Sequence, residues 1–216
     1  MARRVTVREV ETPVGRARAT ITTGPVGGRG LVVLGHGAGG GIETADLLAV
    51  TGALVASGWT VARVEQPYRV KGRRAPDAAP RLDLAWTTVV AALRRRRRGL
   101  LVVAGRSSGA RVACRSAGTV GADAVVALAF PLHPPGRPEK SRADELFDLA
   151  VPTLIVQGER DAFGTPEQVR TAAPGSVTVV GVPGDHALKQ APDRVAAAVL
   201  DWCAGIGPRP GALHPA

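Results

Sequence analysis

Three residues of this chain, Ser107, Asp161 and His186, are of the types that together activate a hydroxyl for attack on an acyl carbon. A serine hydroxyl is a poor nucleophile until a base within hydrogen-bond reach removes its proton. Imidazole suits that task, because it titrates near neutral pH and returns the proton to a leaving group. A carboxylate on the far side of the ring holds the right tautomer and stabilises the cation. Each of the three follows an apolar run. Ser107 comes after Leu100-Leu101-Val102-Val103-Ala104, Asp161 after Thr153-Leu154-Ile155-Val156-Gln157, and His186 after Val177 to Val182.

Ser107 is the centre of Gly105-Arg106-Ser107-Ser108-Gly109, a G-x-S-x-G motif leading into the helical pattern Ala110-Arg111-Val112-Ala113-Cys114-Arg115. Strand, sharp turn and helix in that order present the serine as a nucleophile. The backbone at the serine must be strained, and the flanking glycines remove side chains that would meet the neighbouring strand and helix. Asp185 competes with Asp161 for the acid role, although adjacent side chains rarely orient one another.

An acyl transfer also needs donors for the oxyanion. The N–H of Ser108 is one. The other belongs to Gly35-His36-Gly37-Ala38-Gly39-Gly40-Gly41, with Ala38 first and Gly37 as the alternative. Glycines there let the main chain approach a substrate. His36 reads as a brace for that loop rather than a reacting group. A phosphate-binding glycine turn is the competing interpretation.

The elements that must position these residues alternate. Thr6–Glu11 and Arg16–Thr23 form a hairpin, followed by strands at Gly30–Leu34, Thr60–Val64, Gly99–Ala104, Ala124–Phe130, Thr153–Gln157 and Val177–Val182. Helical spacing falls at Thr44–Ala56, Leu82–Leu93, Ala110–Ala117, Ser141–Leu149, Thr165–Ala172 and Lys189–Cys203, with a polar loop over Glu65–Pro80. The pattern predicts an α/β fold, a mainly parallel sheet of about eight strands covered on both faces, with the hairpin as an antiparallel edge. The chain reads as one domain over residues 1–204 and a flexible tail over 205–216.

With 216 residues, 45% of them hydrophobic, the chain can bury a sizeable core. No apolar run is long enough to span a bilayer, and no signal peptide opens the sequence. Cys114 and Cys203 lack disulfide or metal-site spacing and read as buried thiols, so a cytoplasmic protein is expected. Neither a cofactor nor a metal is expected. The net charge of +10 comes from arginines spread along the chain, and the run Arg94–Arg98 fits a helix end. No specific nucleic-acid partner and no membrane are expected; the partner is a small acyl substrate.

The combination of Gly35-His36-Gly37-Ala38-Gly39, the serine motif, Phe130-Pro131-Leu132-His133-Pro134-Pro135-Gly136, Gln157-Gly158-Glu159-Arg160-Asp161 and Gly184-Asp185-His186 resembles the α/β-hydrolase superfamily. Pro67-Tyr68-Arg69 and Gly72-Arg73-Arg74-Ala75-Pro76 make it similar to the small dienelactone-hydrolase-like branch that includes the Tex30/KANSL3-like domain. The chain order Ser, Asp, His is the order of that superfamily. The resemblance, from about Gly30 to Cys203, implies the α/β-hydrolase fold and the triad Ser107, Asp161 and His186. Dienelactone hydrolases proper use cysteine, so Ser107 points away from dienelactone as substrate.

The expected activity is that of a carboxylesterase-like serine hydrolase on small or short-chain esters or related acyl bonds. Few aromatics (3%) and a short connection after the sixth strand favour an open cleft with a minimal lid over a long acyl tunnel. Arg69, Arg73, Arg74, His133 and Arg137 are candidates for its rim. The alternatives are a non-catalytic interaction module on a hydrolase scaffold and a polyanion-binding protein.

Overall fold

Strand β3 (Gly30–Gly35) shows how the sequence builds two layers around one sheet. Its residues are all buried; Leu31 and Val33 join one apolar cluster, Val32 and Leu34 the other. Side chains alternate across a strand, so a continuous apolar run is what a sheet covered on both faces requires. A computed structural model describes residues 3–24, 28–95 and 99–207. The strands β1 (Arg4–Thr12), β2 (Gly15–Thr23), β3, β4 (Trp59–Glu65), β5 (Leu100–Arg106), β6 (Ala124–Leu128), β7 (Thr153–Gly158) and β8 (Val177–Val182) form one sheet. Its order is β1-β2-β4-β3-β5-β6-β7-β8. The hairpin β1–β2 joins β4 antiparallel and all later pairings are parallel, as expected from the sequence.

Helices α1 (Ala45–Ala56) and α7 (Pro192–Ala204) cover one face; α3 (Ala79–Arg94) and α4 (Ser108–Ser116) cover the other. Each fully buried Leu or Val in these layers contributes about 1.5–3 kcal/mol. From β3 the chain crosses to β4 on one side, then returns past β3 to β5 on the other. The loops after β3 and β5 therefore part from each other at a reversal in strand order, where parallel sheets open a crevice beyond the strands' carboxyl ends.

Three segments depart from the sequence expectations. The loop over Glu65–Pro80 contains a helical turn, α2 (Pro67–Val70), with proline at its start and Tyr68 buried. The helix expected at Ser141–Leu149 shrinks to α5 (Asp144–Phe147). Arg142 instead ties this segment to the loop after β6, its N–H donating to Leu132 O and its guanidinium to Pro131 O. The last helix starts at Pro192 rather than Lys189, because proline fits the first helical position. Helix α6 (Pro166–Ala172) begins as expected, Thr165 and Gln168 closing a capping box.

Both cysteines are buried and unpaired. Among the described residues, no helix is long and apolar enough to cross a membrane. The tail beyond residue 207 and Arg96, Arg97 and Arg98 of the arginine run lie outside the described residues; Arg94 ends α3.

Candidate active site

The turn at Ser107 is strained, with φ 53° and ψ −113°. A non-glycine residue holds such a conformation only where its surroundings over-determine it. Here they do. Ser107 N–H donates to Leu128 O at 2.8 Å, extending the β5–β6 pairing into the turn, and Arg111 N–H to Ser107 O at 3.2 Å starts α4. Both flanking glycines are forced by close approach. A Cβ on Gly109 would lie 2.7 Å from His36 O, and one on Gly105 would overlap the backbone of Gly109. The helix thus leaves the strand at an angle only glycines permit.

The structure brings the three sequence candidates together. His186 Nε2 lies 2.8 Å from Ser107 Oγ, and Nδ1 lies 2.8 Å from Asp161 Oδ2. The Asp161 side chain is fully buried, whereas that of His186 is 21% exposed to solvent. Asp161 Oδ1 also accepts from Phe163 N–H and Oδ2 from Gln157 Nε2, both at 2.8 Å. A buried carboxylate with three donors has its desolvation offset without a neighbouring cation. Asp185 does not reach the ring's partner position; its Oδ1 accepts from Ala187 N–H in its own turn.

The loops after β7 and β8 are laced together. Glu159 N–H donates to Val182 O and Arg160 N–H to Gly184 O, both at 2.9 Å. A Cβ on Gly158 would lie 2.5 Å from Asp185 O, so this glycine lets the acid's strand pass beneath the histidine's turn.

The loop after β3 is fixed by His36. Its Nε2 accepts from Gln66 N–H at 3.1 Å, so the neutral ring carries its proton on Nδ1 and donates to Gly37 O at 2.8 Å. Burial lowers its pKa from 6.5, which keeps that tautomer uncharged. Among the described residues all peptides are trans, so Ala38 N–H points opposite to Gly37 C=O, away from the His36 ring. Tyr68 OH donates to Ala38 O at 2.9 Å; burial raises that hydroxyl to about 12, so it remains a donor. Ser108 opens α4, whose first N–H groups have no partner within the helix.

Several residues around the site carry roles the sequence reading did not assign. Phe163 stacks on His186, ring centroids 4.1 Å apart at 30°. Gln157, a polar residue at the end of a buried strand, donates from Nε2 to Phe130 O and Gly164 O as well as Asp161. Three acceptors around one nitrogen fix the orientation of the amide. Arg106, the variable residue of the motif, reaches the His186 backbone.

Of the proposed rim, Arg74 and Arg137 are exposed and Arg69 half-buried, while Arg73 pairs with Asp77. His133 departs from expectation: it is buried, its Nδ1 3.0 Å from Pro134 O and its N–H donating to Phe163 O. The proline-rich loop folds inward there because Phe130 and Leu132 enter the core. Between β6 and β7 only α5 intervenes, held against α4 by Arg111 and Arg115 ion pairs to Glu145.

A family model described as an alpha/beta hydrolase domain matches residues 28–197. No match was found among the curated proteins. Solved structures share the fold at low identity. An alpha-beta serine hydrolase homologue from Coxiella burnetii has TM-score 0.77 and 20% identity over 91% of this chain and 96% of its own. Est1E from Butyrivibrio proteoclasticus, solved with ferulic acid bound, has TM-score 0.80 and 17% identity over 92% of this chain and 98% of its own. Dienelactone hydrolase from Anabaena variabilis has TM-score 0.76 and 17% identity over 97% and 100%. The eight-stranded sheet, the strained serine turn and the match over residues 28–197 lead to one assignment: the chain belongs to the α/β-hydrolase family.

Proposed function

We propose that this chain is a serine hydrolase of small or short-chain carboxylic esters or related acyl bonds, on the dienelactone-hydrolase-like branch. The observation that carries the reading is the continuous path from Ser107 Oγ through His186 to Asp161, two contacts of 2.8 Å each. Ser107 Oγ attacks the acyl carbon as His186 Nε2 takes its proton. The tetrahedral oxyanion rests on the N–H groups of Ser108 and Ala38. His186 then returns the proton to the leaving oxygen, which departs and leaves the acyl group on Ser107. Water, deprotonated by the same imidazole, hydrolyses that ester and restores the serine. Asp161 holds Nδ1–H throughout and stabilises the cation formed in each half-reaction.

The preference for small substrates rests on the short β6–β7 connection, whose one helical turn, α5, is held against α4. A cytoplasmic setting without cofactor or metal completes the reading.

A fluorophosphonate probe tests it. Labelling at Ser107 and hydrolysis of a short p-nitrophenyl ester are expected, both lost in Ser107→Ala. Hydrolysis that survives this substitution refutes the assignment; a folded wild-type protein that does not label favours a non-catalytic module.

A further inference from the structure

We infer that Arg106 is a positioning residue for His186, and that Asp46 on α1 is the counter-charge that lets it serve. This inference rests on the proposed hydrolase reading and extends it to a residue the motif leaves unspecified. Arg106 immediately precedes Ser107, so its backbone moves with the strained turn. Its Nη2 donates to the carbonyl oxygen of His186 at 3.0 Å, across 80 residues of sequence. Its Nε lies 3.1 Å from Asp46 Oδ2, an ion pair by distance whose angle falls outside hydrogen-bond geometry. A Cβ on Gly37 would lie 3.0 Å from Arg106 Nη1 and 3.5 Å from Ser107 Cβ. One guanidinium therefore touches the histidine loop and α1 and borders the oxyanion loop, while its own backbone belongs to the serine turn.

Burial makes each of the two charges depend on the other. The Arg106 side chain is 13% exposed and that of Asp46 is 1% exposed. Burying either charge alone is costly, and removing one partner of a buried pair leaves the other uncompensated. Asp46 gains further support from the first turn of α1, where the helix dipole favours an anion. Among the described residues, Arg106 is its ion-pair partner.

The contact falls where the histidine loop needs one. The turn Asp185–Leu188 closes on itself through Leu188 N–H to Asp185 O and Ala187 N–H to Asp185 Oδ1. Those bonds shape the turn from within; Arg160 N–H to Gly184 O ties it to the loop after β7, and the Arg106 bond ties it to the residue before Ser107. The rigid guanidinium aims Nη2 at the His186 carbonyl while its charge faces the Asp46 carboxylate, and a lysine head on a flexible stem keeps the charge without that fixed donor. Geometry of this kind matters because a displacement of about 1 Å costs on the order of a hundredfold in rate.

Three variants separate this role from a merely structural one: Arg106→Met, Arg106→Lys and the double Arg106→Met/Asp46→Asn. In Arg106→Met, Asp46 stays buried without its partner, so both Tm and kcat are expected to fall. In the double variant no buried charge is left over, so Tm should return most of the way. Its kcat on a short p-nitrophenyl ester should stay about ten- to a hundredfold down, with KM within about twofold of wild type. Arg106→Lys should keep Tm near wild type yet lose a similar share of kcat. Recovery of kcat together with Tm in the double variant, or full activity in Arg106→Lys, overturns the inference.

A second readout does not depend on turnover. The His186 Nδ1 proton, held against Asp161, should give a low-field NMR resonance in wild type that broadens or disappears in the double variant. Its persistence there also overturns the inference. If wild-type Ser107 fails to label while this resonance still depends on Arg106, the hydrolase reading falls and the tether stands.

Discussion

His36 and His186 stand at the carboxyl ends of β3 and β8, and both touch the serine turn. His36 O lies against Gly109, and His186 Nε2 against Ser107 Oγ. Both present Nδ1 to an oxygen and Nε2 to a donor. The partners differ. His36 faces a carbonyl and a backbone N–H, neither of which can become a nucleophile or carry a full charge at ordinary pH, and it is buried. His186 faces a carboxylate and a hydroxyl and keeps a fifth of its side chain in contact with solvent. The same ring in the same tautomer is a brace in one place and a proposed base in the other. What it can do is set by whether the group at Nε2 has a proton to give and whether the group at Nδ1 can support a charge.

The largest test of that contrast removes each ring. His186→Ala should lower kcat by about a millionfold, roughly 8 kcal/mol of transition-state stabilisation, with little change in Tm. Single-turnover release of p-nitrophenol measures it. A loss below about a thousandfold would contradict the role given to His186.

Next in size, Asp161→Asn asks whether the partner at Nδ1 decides. An asparagine amide can donate to Nδ1, turning the ring so that Nε2 carries the proton and faces Ser107 without accepting capacity. The expected loss in kcat is about ten-thousandfold. Asp185→Asn, which alters only a local turn, should leave kcat within about twofold. Equal losses in the two variants would mean that the acid has been misassigned.

The sequence disclosed the parts of this site that are local in the chain. Gly105, Ser107 and Gly109 carry their geometric reason in five residues, and the apolar runs before Asp161 and His186 place both at strand ends. The supports were not legible, because their partners are distant. Arg106 reads as an unspecified position until the fold places His186 beside it, and Gln157 reads as a polar interruption until Phe130, Asp161 and Gly164 converge on its amide. Phe163 was hidden for the same reason, being two residues past the acid with no local cue that it would stack on the imidazole. Helix α5 was overestimated because local periodicity does not register the pull of Arg142 toward Pro131.

A smaller effect probes the backbone that brings His186 to Asp161. Gly158→Ala would place a methyl 2.5 Å from Asp185 O, where only a shift of the histidine turn can relieve it. The overlap should cost about 1–3 kcal/mol of stability and a disproportionate loss of kcat. The matching change in the other loop, Gly39→Ala, meets nothing within 4 Å and should alter neither. Denaturant unfolding paired with initial rates distinguishes them, and equal effects would argue against a rigid seat for His186.

The smallest predicted effect belongs to His36 and appears only on acidification. Burial lowers its pKa in the folded chain, so the unfolded state takes up the proton first. Above the unfolded value of 6.5 both states are neutral and its contribution is complete. As pH falls below 6.5 the unfolded state gains protons and stability declines, levelling off once pH passes the lowered folded value. The decline is limited to about 1.4 kcal/mol per pH unit within that window. His36→Gln cannot titrate, and its side chain still has an acceptor to offer Gln66 N–H. Against that variant, the wild type should lose Tm faster below pH 6.5 and run parallel above it. Scanning calorimetry across this range reads the difference. Parallel curves throughout would mean that protonated His36 is tolerated, and the loop after β3 would then lack the fixed, uncharged brace that sets the direction of Ala38 N–H.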